Sequence, residues 1–236
     1  DFTVHDFRVV CPQTHFVTKQ GQFCGRPDVE GCEECTLERP DSWGIGIRRW
    51  RLAFEEWLAG ADRVIYPSQY VRKVIEDYFP QVQGEVWPHP EQAMSEFSGF
   101  AERSLACRKF VLIGALSAAK GLHRLTELAN LSLQSEEPFE FVVVGPTLEP
   151  LASALPRNVT VTGQYDQSQL VHLLSRERPD GFLFLSVVPE TYNYALSVAL
   201  AAGLPIWALE GGAIGERLQG VDRATVLPGD TSATQL

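Results

Sequence analysis

The stretch KFVLIGALSAAKG, residues 109–121, is followed by a helical stretch at 122–133 and then by FEFVVVG, residues 139–145. The first and last stretches each contain a short apolar run that ends at a glycine. A strand, a helix and a second strand in this order form the unit of a parallel sheet, because parallel neighbours need a crossover connection. The sequence therefore predicts an α/β domain whose first strand-to-helix turn lies at residues 114–121.

The same pattern continues toward the C-terminus. Apolar runs that predict further strands are NVTVTG (158–163), DGFLFLS (180–186), PIWAL (205–209) and ATVLP (224–228). Helical patterns separate them at residues 167–176, 189–203 and 213–218. Nearly continuous apolar strands between helices indicate a sheet covered on both faces. We therefore predict a doubly wound, Rossmann-like parallel sheet.

The pattern before residue 105 is weaker. A loop-rich segment reaches residue 44, and helices are predicted at 45–61 and 69–79 with a short strand between them. Residues 80–104 have the Pro, Gly and Ser content of an interdomain linker. We therefore predict two domains, an incomplete N-terminal α/β domain with its linker at 1–95 and the Rossmann-like domain at 96–236. Because the chain opens at Asp1 in the strand-like run FTVHDFRVV, we expect it to be a fragment.

The composition excludes some classes of function. With 30 acidic and 20 basic residues, the formal net charge is -10, which gives no basic surface for nucleic acid. No run of eighteen apolar residues predicts a membrane span, and the first residues lack the pattern of a signal peptide. We therefore expect a soluble, cytoplasmic protein.

The first turn of the Rossmann-like domain carries a candidate phosphate site at Gly114, Lys120 and Gly121. Loops at the carboxyl ends of parallel strands bind ligands, and helix N-termini favour anions. The turn is not a P-loop and lacks the GxGxxG pattern of dinucleotide binders. Glycine and lysine at a solvated helix start also fit a purely structural role.

Four loops taken together resemble a known family. GALSAAKG, FVVVG, VTGQYDQSQLVHLL and PETYNYALSVALAAGLPIWALEGGAIGERL are similar, in order and spacing, to the donor-binding half of family-4 retaining glycosyltransferases with two Rossmann domains, the GT-B type. The stretches VHDFRVVCP and WRLAFEEWLAGADRVIYPSQYVRKVI resemble the end of the acceptor domain of these enzymes. The resemblance implies a chain that lacks the first half of that acceptor domain.

The resemblance implies roles for individual residues. Glu190 matches the first acid of a Glu-x7-Glu motif and would contact the hydroxyls of the transferred sugar. Backbone N–H groups at Tyr192, Asn193 and Tyr194 would hold the diphosphate, and Lys120 would neutralise the departing phosphate. The nucleotide sugar is thus the expected donor substrate.

Two positions depart from the family pattern. Val198 stands where the second Glu would contact the ribose, and Ala115 replaces a frequent Arg. Eight helical residues rise about 12 Å, roughly the span from the donor sugar to its ribose. We therefore expect Glu190 and Val198 to lie at the two ends of one helical segment, with the ribose contact altered.

Each candidate also has a structural explanation. Glu190 could complement a helix dipole, which is worth only about 0.3 to 1 kcal/mol on a surface. Tyr192 and Tyr194 could simply pack, as aromatic residues at a helix start often do. The resemblance implies that His5 reaches the donor sugar, although a lone His often satisfies only local hydrogen bonds, and His89 is expected to be structural.

Four of the five cysteines, Cys11, Cys24, Cys32 and Cys35, fall within the first 35 residues. A CxxC pair with two further thiols could bind structural zinc and order a loop that is poor in apolar residues. Reduced free thiols and a disulfide are the alternatives, and a disulfide is unfavourable in the cytosol. In either metal or thiol form, we expect the four to converge in one region.

The helix at 47–59 predicts one apolar face formed by Ile47, Trp50, Phe54, Trp57 and Leu58. Such a face could touch a membrane that carries a lipid-linked acceptor, at the inner side of the cell membrane. Packing on the sheet of the N-terminal domain is the alternative.

The expected function is transfer of a hexose-type sugar, with retention, from a nucleotide sugar to a glycan or lipid-linked acceptor in bacterial surface polysaccharide or lipopolysaccharide biosynthesis. The chemistry is expected to need no catalytic metal, and the fragment alone to be inactive. The alternatives are a noncatalytic interaction module on the same fold and a nucleotide-sugar hydrolase or epimerase. Nucleobase, sugar, acceptor and oligomeric state are left open by the sequence.

Overall fold

The computed structural model describes residues 1–90, 108–136, 138–147 and 155–236. The chain divides into two compact units. The first consists of Asp1–Pro90 together with two short later segments, Val188–Asn193 and Gly211–Arg217. The second contains the rest of the described chain. The domain boundary predicted between residues 95 and 96 lies outside the described residues.

The first unit contains a parallel sheet with the strand order β1-β2-β3. Its strands are β1 (Phe2–Thr3), β2 (Val64–Tyr66) and β3 (Glu85–Val86). Its helices within Asp1–Pro90 are α1 (Val29–Glu38), α2 (Gly46–Ala59) and α3 (Gln69–Tyr78). The structure thus confirms α2, α3 and the strand between them.

Two predictions for the first 44 residues were wrong. The strand-like run FTVHDFRVV forms a strand only at Phe2–Thr3, and it then turns where the N–H of Val10 donates to the carbonyl of Phe7. Its apolar residues resemble a strand because the turn is buried. The loop-rich segment contains α1, which the apolar period did not reveal because only Thr36 on this helix is buried. Asp28 begins α1 by accepting the N–H of Gly31.

The start of α2 is fixed by a carboxylate. Both oxygens of Asp41 accept backbone N–H groups, those of Trp43, Ile45 and Gly46. This holds the loop in place and directs the following helix onto the sheet. Four of the five residues predicted to share a face are buried, namely Ile47, Trp50, Phe54 and Leu58. Trp57 is the exception, because 57% of its surface is exposed.

The second unit contains a parallel sheet with the order β6-β5-β4-β7-β8-β9 among the described residues. The strands are β4 (Lys109–Ile113), β5 (Glu140–Val144), β6 (Val159–Val161), β7 (Gly181–Phe184), β8 (Ile206–Leu209) and β9 (Ala224–Leu227). Its helices are α4 (Leu122–Ser132), α5 (Leu170–Glu177) and α6 (Tyr194–Ala202). Helix α7 (Ala213–Leu218) follows β8 in the chain, but its residues up to Arg217 belong to the first unit. The predicted doubly wound fold is confirmed, and a 3-10 turn at Gln167–Gln169 precedes α5.

The strand order reverses at β4. From this strand the chain proceeds outward through β5 and β6, and it then returns to place β7 on the other side of β4. Ligands in open α/β sheets bind outside the carboxyl ends of the strands at such a switch point. The two loops that leave this point are the one after β4, residues 114–121, and the one after β7, residues 185–193.

The start of α6 differs from the prediction. The helix begins at Tyr194, so Glu190 lies four residues before it rather than at its entry. Asn193 has a positive φ of 70°, which interrupts a helix at this point. The predicted helical rise from Glu190 to Val198 is therefore wrong. Val198 itself is 4% exposed and belongs to the buried side of α6.

Across the parts of the chain that the structure describes, no helix is both long enough and apolar enough to cross a membrane.

The loops after β4 and β5 approach each other closely through their backbones, and adding a single methyl group tests this approach. A β-carbon on Gly145 would lie 2.2 Å from the carbonyl oxygen of Gly114, at a φ of +147°. Gly220 also has a positive φ, +75°, but a β-carbon there would meet nothing within 4 Å. Gly220→Ala should therefore cost only about 1 to 2 kcal/mol from the backbone conformation. Gly145→Ala should cost roughly 1 to 3 kcal/mol more, the usual penalty of overpacking.

Urea denaturation of the two variants beside the parent chain measures this difference. Equal losses of stability would show that the approach of residues 145 and 114 relaxes without cost.

Candidate active site

The two loops at the switch point contact each other through their backbones. The carbonyl of Ala119 accepts the N–H of Val187 at 2.9 Å and the hydroxyl of Ser186 at 3.2 Å. A β-carbon on Gly121 would stand 2.3 Å from the carbonyl oxygen of Leu185. Gly121 is therefore required by packing, whatever else it does.

The other two residues of the predicted phosphate turn are placed differently. Gly114 has a φ of +112° and open space where a β-carbon would stand. Lys120 is exposed. Its backbone N–H donates to the carbonyl of Ser117 at 3.0 Å, and this bond closes the turn just before α4. The turn thus combines an accessible glycine with an exposed cation. Their contact with phosphate stays a prediction.

Glu190 lies in a short parallel bridge with Gly212 in the first unit. The backbone N–H of Glu190 donates to the carbonyl of Gly211 at 3.3 Å, and its carbonyl accepts the N–H of Ala213 at 2.8 Å. A β-carbon on Gly212 would lie 2.2 Å from the carbonyl oxygen of Glu190, so only glycine permits this pairing. The backbone of Glu190 is therefore held in a strand-like conformation. The residue as a whole is half-buried.

His5, the second predicted catalytic residue, belongs to the same unit and the structure brings it next to this segment. The hydroxyl of Thr191 donates to the carbonyl of His5 at 2.7 Å, although the two residues are 186 positions apart. The hydroxyl of Ser68 donates to the carbonyl of Thr191 at 3.0 Å. Thr191, the residue that follows Glu190, is thus joined to the loop after β1.

His89 supports His5 directly. The two imidazole rings stack with centroids 5.3 Å apart and an interplanar angle of 12°. The Tyr192 hydroxyl donates to the His89 carbonyl at 3.0 Å, and the Tyr192 ring meets the imidazole edge-on at 4.9 Å. Burial lowers the pKa of His89, and the neighbouring His5 lowers it further. An imidazole with a lowered pKa therefore stacks against His5.

The three residues predicted to hold the diphosphate have different environments. Tyr192 is 4% exposed, and its side chain is engaged by His89. Asn193 adopts the left-handed conformation, and Tyr194, 60% exposed, begins α6. The aromatic ring of Tyr192 therefore packs, as its structural explanation proposed. Diphosphate contact at the three backbone N–H groups stays a prediction.

Two charged residues that the sequence analysis did not consider organise this region. Arg217 donates to the carbonyls of Tyr192 at 3.1 Å and Asn193 at 2.9 Å, and its guanidinium lies 4.1 Å from the Tyr192 ring centroid. The carboxylate of Glu216 accepts the N–H groups of Gln69 and Tyr70 at the start of α3. The adjacent acid and base in the stretch GERL were the sequence signal available for both.

The four N-terminal cysteines are free thiols, so no disulfide joins them. Burial, with smaller contributions from Cys24, Cys32 and Cys35, raises the pKa of the Cys11 thiol to about 11. As the side chains stand, however, no group of three or more His, Cys, Asp or Glu residues in the described chain could hold a metal ion. Structural zinc stays a prediction.

Neither protein-family models nor curated proteins match the sequence. Solved structures do match. WaaG, a glycosyltransferase involved in lipopolysaccharide biosynthesis, has a TM-score of 0.60 at 18% identity over 84% of this chain and 58% of its own. Sucrose-phosphate synthase from Thermosynechococcus elongatus has a TM-score of 0.59 at 14% identity over 86% and 54%. Anabaena HepE in complex with UDP and glucose has a TM-score of 0.53 at 20% identity over 79% and 54%.

These similarities establish the fold that the chain shares with solved glycosyltransferases. The chain spans little more than half the length of these three proteins.

The contacts of Arg217 predict that it orders the segment between Glu190 and α6. Arg217→Ala removes two hydrogen bonds from a charged donor, each typically worth about 1.5 to 3 kcal/mol. Amide exchange at residues 191–194 should therefore accelerate by roughly ten- to hundred-fold.

Hydrogen exchange with mass spectrometry measures this effect. Arg223→Ala is the matched control, because Arg223 donates to the carbonyl of Leu200 in the second unit. If Arg217→Ala leaves exchange at residues 191–194 unchanged, its contacts do not order the segment.

Proposed function

We propose that the chain is part of a glycosyltransferase that moves a sugar from a nucleotide-sugar donor to a glycan or lipid-linked acceptor, with retention at the anomeric carbon. The fold shared with WaaG and sucrose-phosphate synthase supports the general class. The description of WaaG as an enzyme of lipopolysaccharide biosynthesis supports a role in surface polysaccharide synthesis.

The hydrogen bond from Thr191 to His5 is the observation that carries this proposal. It joins His5 itself to the residue that follows Glu190, and the family resemblance implicates both His5 and Glu190 from distant parts of the sequence. The position of Glu190 also weakens its structural explanation. A helix dipole acts within the first turn, whereas Glu190 lies four residues before Tyr194, the first residue of α6.

In the proposed reaction, Glu190 orients the donor sugar by accepting hydrogen bonds from its hydroxyls. His5, which belongs to the first unit as Glu190 does, contacts the same sugar, and His89 holds the His5 ring by stacking. Negative charge develops on the diphosphate as the bond to the sugar breaks. Lys120 and the N-terminus of α6 stabilise this charge, which is the main physical requirement of the step. The proposed chemistry thus relies on side-chain and backbone groups rather than on a metal ion.

We propose UDP as the nucleotide of the donor. HepE has been solved with UDP and with UDP-glucose, and a TarM variant of the same fold has been solved with UDP. The proposal extends these ligands to this chain on the shared fold and on the exposed lysine of its first turn.

A second candidate is a module that binds the donor without transferring sugar, or a hydrolase or epimerase that acts on it. The observation that favours it is Val198, which is apolar and 4% exposed. A valine cannot accept a hydrogen bond from ribose hydroxyls. Transfer by the full-length enzyme, as against hydrolysis or binding alone, separates these candidates.

Lys120 is predicted to bind the diphosphate. Lys120→Ala should weaken UDP binding by about ten-fold, since a hydrogen bond to a charged group is worth roughly 1.5 to 3 kcal/mol. Lys73→Ala is the matched control, because Lys73 is an exposed lysine on α3. Calorimetric titration with UDP measures both. Equal affinities for UDP in the two variants would remove Lys120 from the site.

Glu190 is predicted to recognise the sugar rather than the nucleotide. Glu190→Gln should therefore weaken UDP-glucose binding, by about ten-fold, while it leaves UDP affinity unchanged. Titration with the two ligands separates the effects. A parallel loss for both ligands would indicate that the variant disturbs the bridge with Gly212, and no loss for either would contradict the proposed role.

Val198→Glu tests whether position 198 faces the nucleotide. The new carboxylate replaces a side chain that is 4% exposed, so it should lower the melting temperature of the chain. If the ribose lies next to this position, UDP should restore stability and bind about ten-fold more tightly than to the parent chain. Thermal shifts with UDP and with inorganic pyrophosphate measure this. An equal response to both ligands would place the ribose elsewhere.

A further inference from the structure

A pocket of about 580 Å³ in the first unit is lined by β1, the turn after it, and α2. We call it the aromatic pocket, because the rings of Phe2, Trp43, Phe54 and Trp57 line it. Its volume falls within the range of roughly 300 to 1,000 Å³ that is typical of small-molecule sites. Its lining residues belong to Asp1–Pro90, so the pocket lies within one compact unit.

Trp43 is exposed to solvent but held in position. Of its surface, 56% is accessible. The indole packs against the buried ring of Trp50, with centroids 4.5 Å apart, and it stacks on Phe54 at 5.7 Å. A ring fixed in this way offers a flat apolar surface and loses little further conformational freedom when a ligand binds. Trp43 therefore forms a preorganised wall of the aromatic pocket.

Trp57 forms a second wall in the same manner. It is 57% exposed, and its ring meets Phe2 edge-on at 4.6 Å and lies 5.8 Å from Phe54. Phe54 therefore contacts both tryptophans and fixes their relative positions. Tryptophan is among the residues most enriched where binding energy concentrates.

Charged and polar side chains on the turn after β1 line the same pocket. They are His5, Asp6 and Arg8. The Asp6 carboxylate accepts the backbone N–H of Arg8 at 2.8 Å, and the Arg8 guanidinium donates to the Ser42 hydroxyl at 3.3 Å. A carboxylate accepts up to about four hydrogen bonds and a guanidinium donates up to about five. Both groups are thus oriented by the protein and keep capacity for a ligand.

This combination matches the chemistry of a saccharide. One face of a pyranose ring presents C–H groups, which pack on the face of an indole. The edge of the same ring carries hydroxyl groups, which bond to carboxylate and guanidinium groups. Rigid aromatic walls beside Asp6 and Arg8 therefore fit both parts of a sugar.

A lipid fits the pocket less well. An alkyl or isoprenoid chain would pack against the rings but would make no use of Asp6 and Arg8. A membrane surface is disfavoured as well, because four of the five residues on the predicted apolar face of α2 are buried. Glu56, beside Trp57, is exposed and would repel anionic headgroups.

We propose that the aromatic pocket binds a saccharide, whose sugar rings stack on the two tryptophans and whose hydroxyls bond to Asp6 and Arg8. His5 lines this pocket, and in the proposed function it also contacts the donor sugar. The saccharide is therefore the acceptor of that transfer. Its identity as the acceptor rests on the proposed function, whereas its binding rests on the pocket alone.

Saturation-transfer NMR measures weak saccharide binding directly. The parent chain is mixed in turn with maltose, lactose and N,N′-diacetylchitobiose, and with farnesyl phosphate as an isoprenoid probe. We expect saturation at the C–H protons of at least one disaccharide. Absence of binding by all three disaccharides, or binding of the isoprenoid probe alone, would overturn the proposal.

Tryptophan variants locate the site. Trp57→Ala should weaken binding of that disaccharide by roughly ten-fold or more, as loss of an aromatic anchor does. Trp43→Phe keeps a ring and should weaken it less, which provides a second variant if the first does not fold. Trp87→Ala is the matched control, because Trp87 is 55% exposed in the first unit and lies outside the lining of the pocket. Equal affinities in Trp57→Ala and Trp87→Ala would contradict the site.

Titration of the parent chain with UDP separates the pocket from the proposed function. Saccharide binding without UDP binding would support the pocket and contradict its role as an acceptor site. UDP binding without saccharide binding would contradict the pocket and leave the proposed donor site in place.

Discussion

The close approach of Gly121 to Leu185 is the constraint on which the second unit depends. Strands β4 and β7 are neighbours, so the loops that leave their carboxyl ends must run side by side. Leu185 places its carbonyl oxygen 2.3 Å from where a β-carbon of residue 121 would stand. Only glycine permits this, and its φ of +91° also ends the turn that starts α4. The contacts of Ala119 and Gly121 with residues 185–187 thus fix the candidate phosphate turn against the loop after β7.

The sequence predicted the second unit well because each strand is a short apolar run between glycine or polar turns. A sheet buried on both faces imposes this pattern on every strand. The first unit was predicted less well because its strands, such as Phe2–Thr3, are too short to show a period. Helix α1 has a single buried residue and is held by Asp28 and by arginine contacts instead. Polar contacts of this kind leave no periodic signal in the sequence.

The types of residue at the candidate site could be predicted, but their partners could not. The family resemblance pointed to Glu190 and His5 because the motif fixes their places in the chain. Thr191, which joins the two segments, bonds to a residue 186 positions away, and no local pattern reports such a contact. Arg217 was missed for a similar reason, since its role is to hold backbone carbonyls that any residue would present.

Glu190 and Val198 are eight positions apart in one sequence motif, yet they have separate structural roles. The backbone of Glu190 is set in the first unit by Gly211, Gly212 and Ala213, and none of these contacts involves α6. Val198 lies on the buried side of α6 in the second unit. An apolar residue at position 198 therefore leaves every constraint on the backbone of Glu190 in place. In the proposed function, position 198 bears on nucleotide affinity and Glu190 on recognition of the sugar, so the two proposed roles rest on separate sets of contacts.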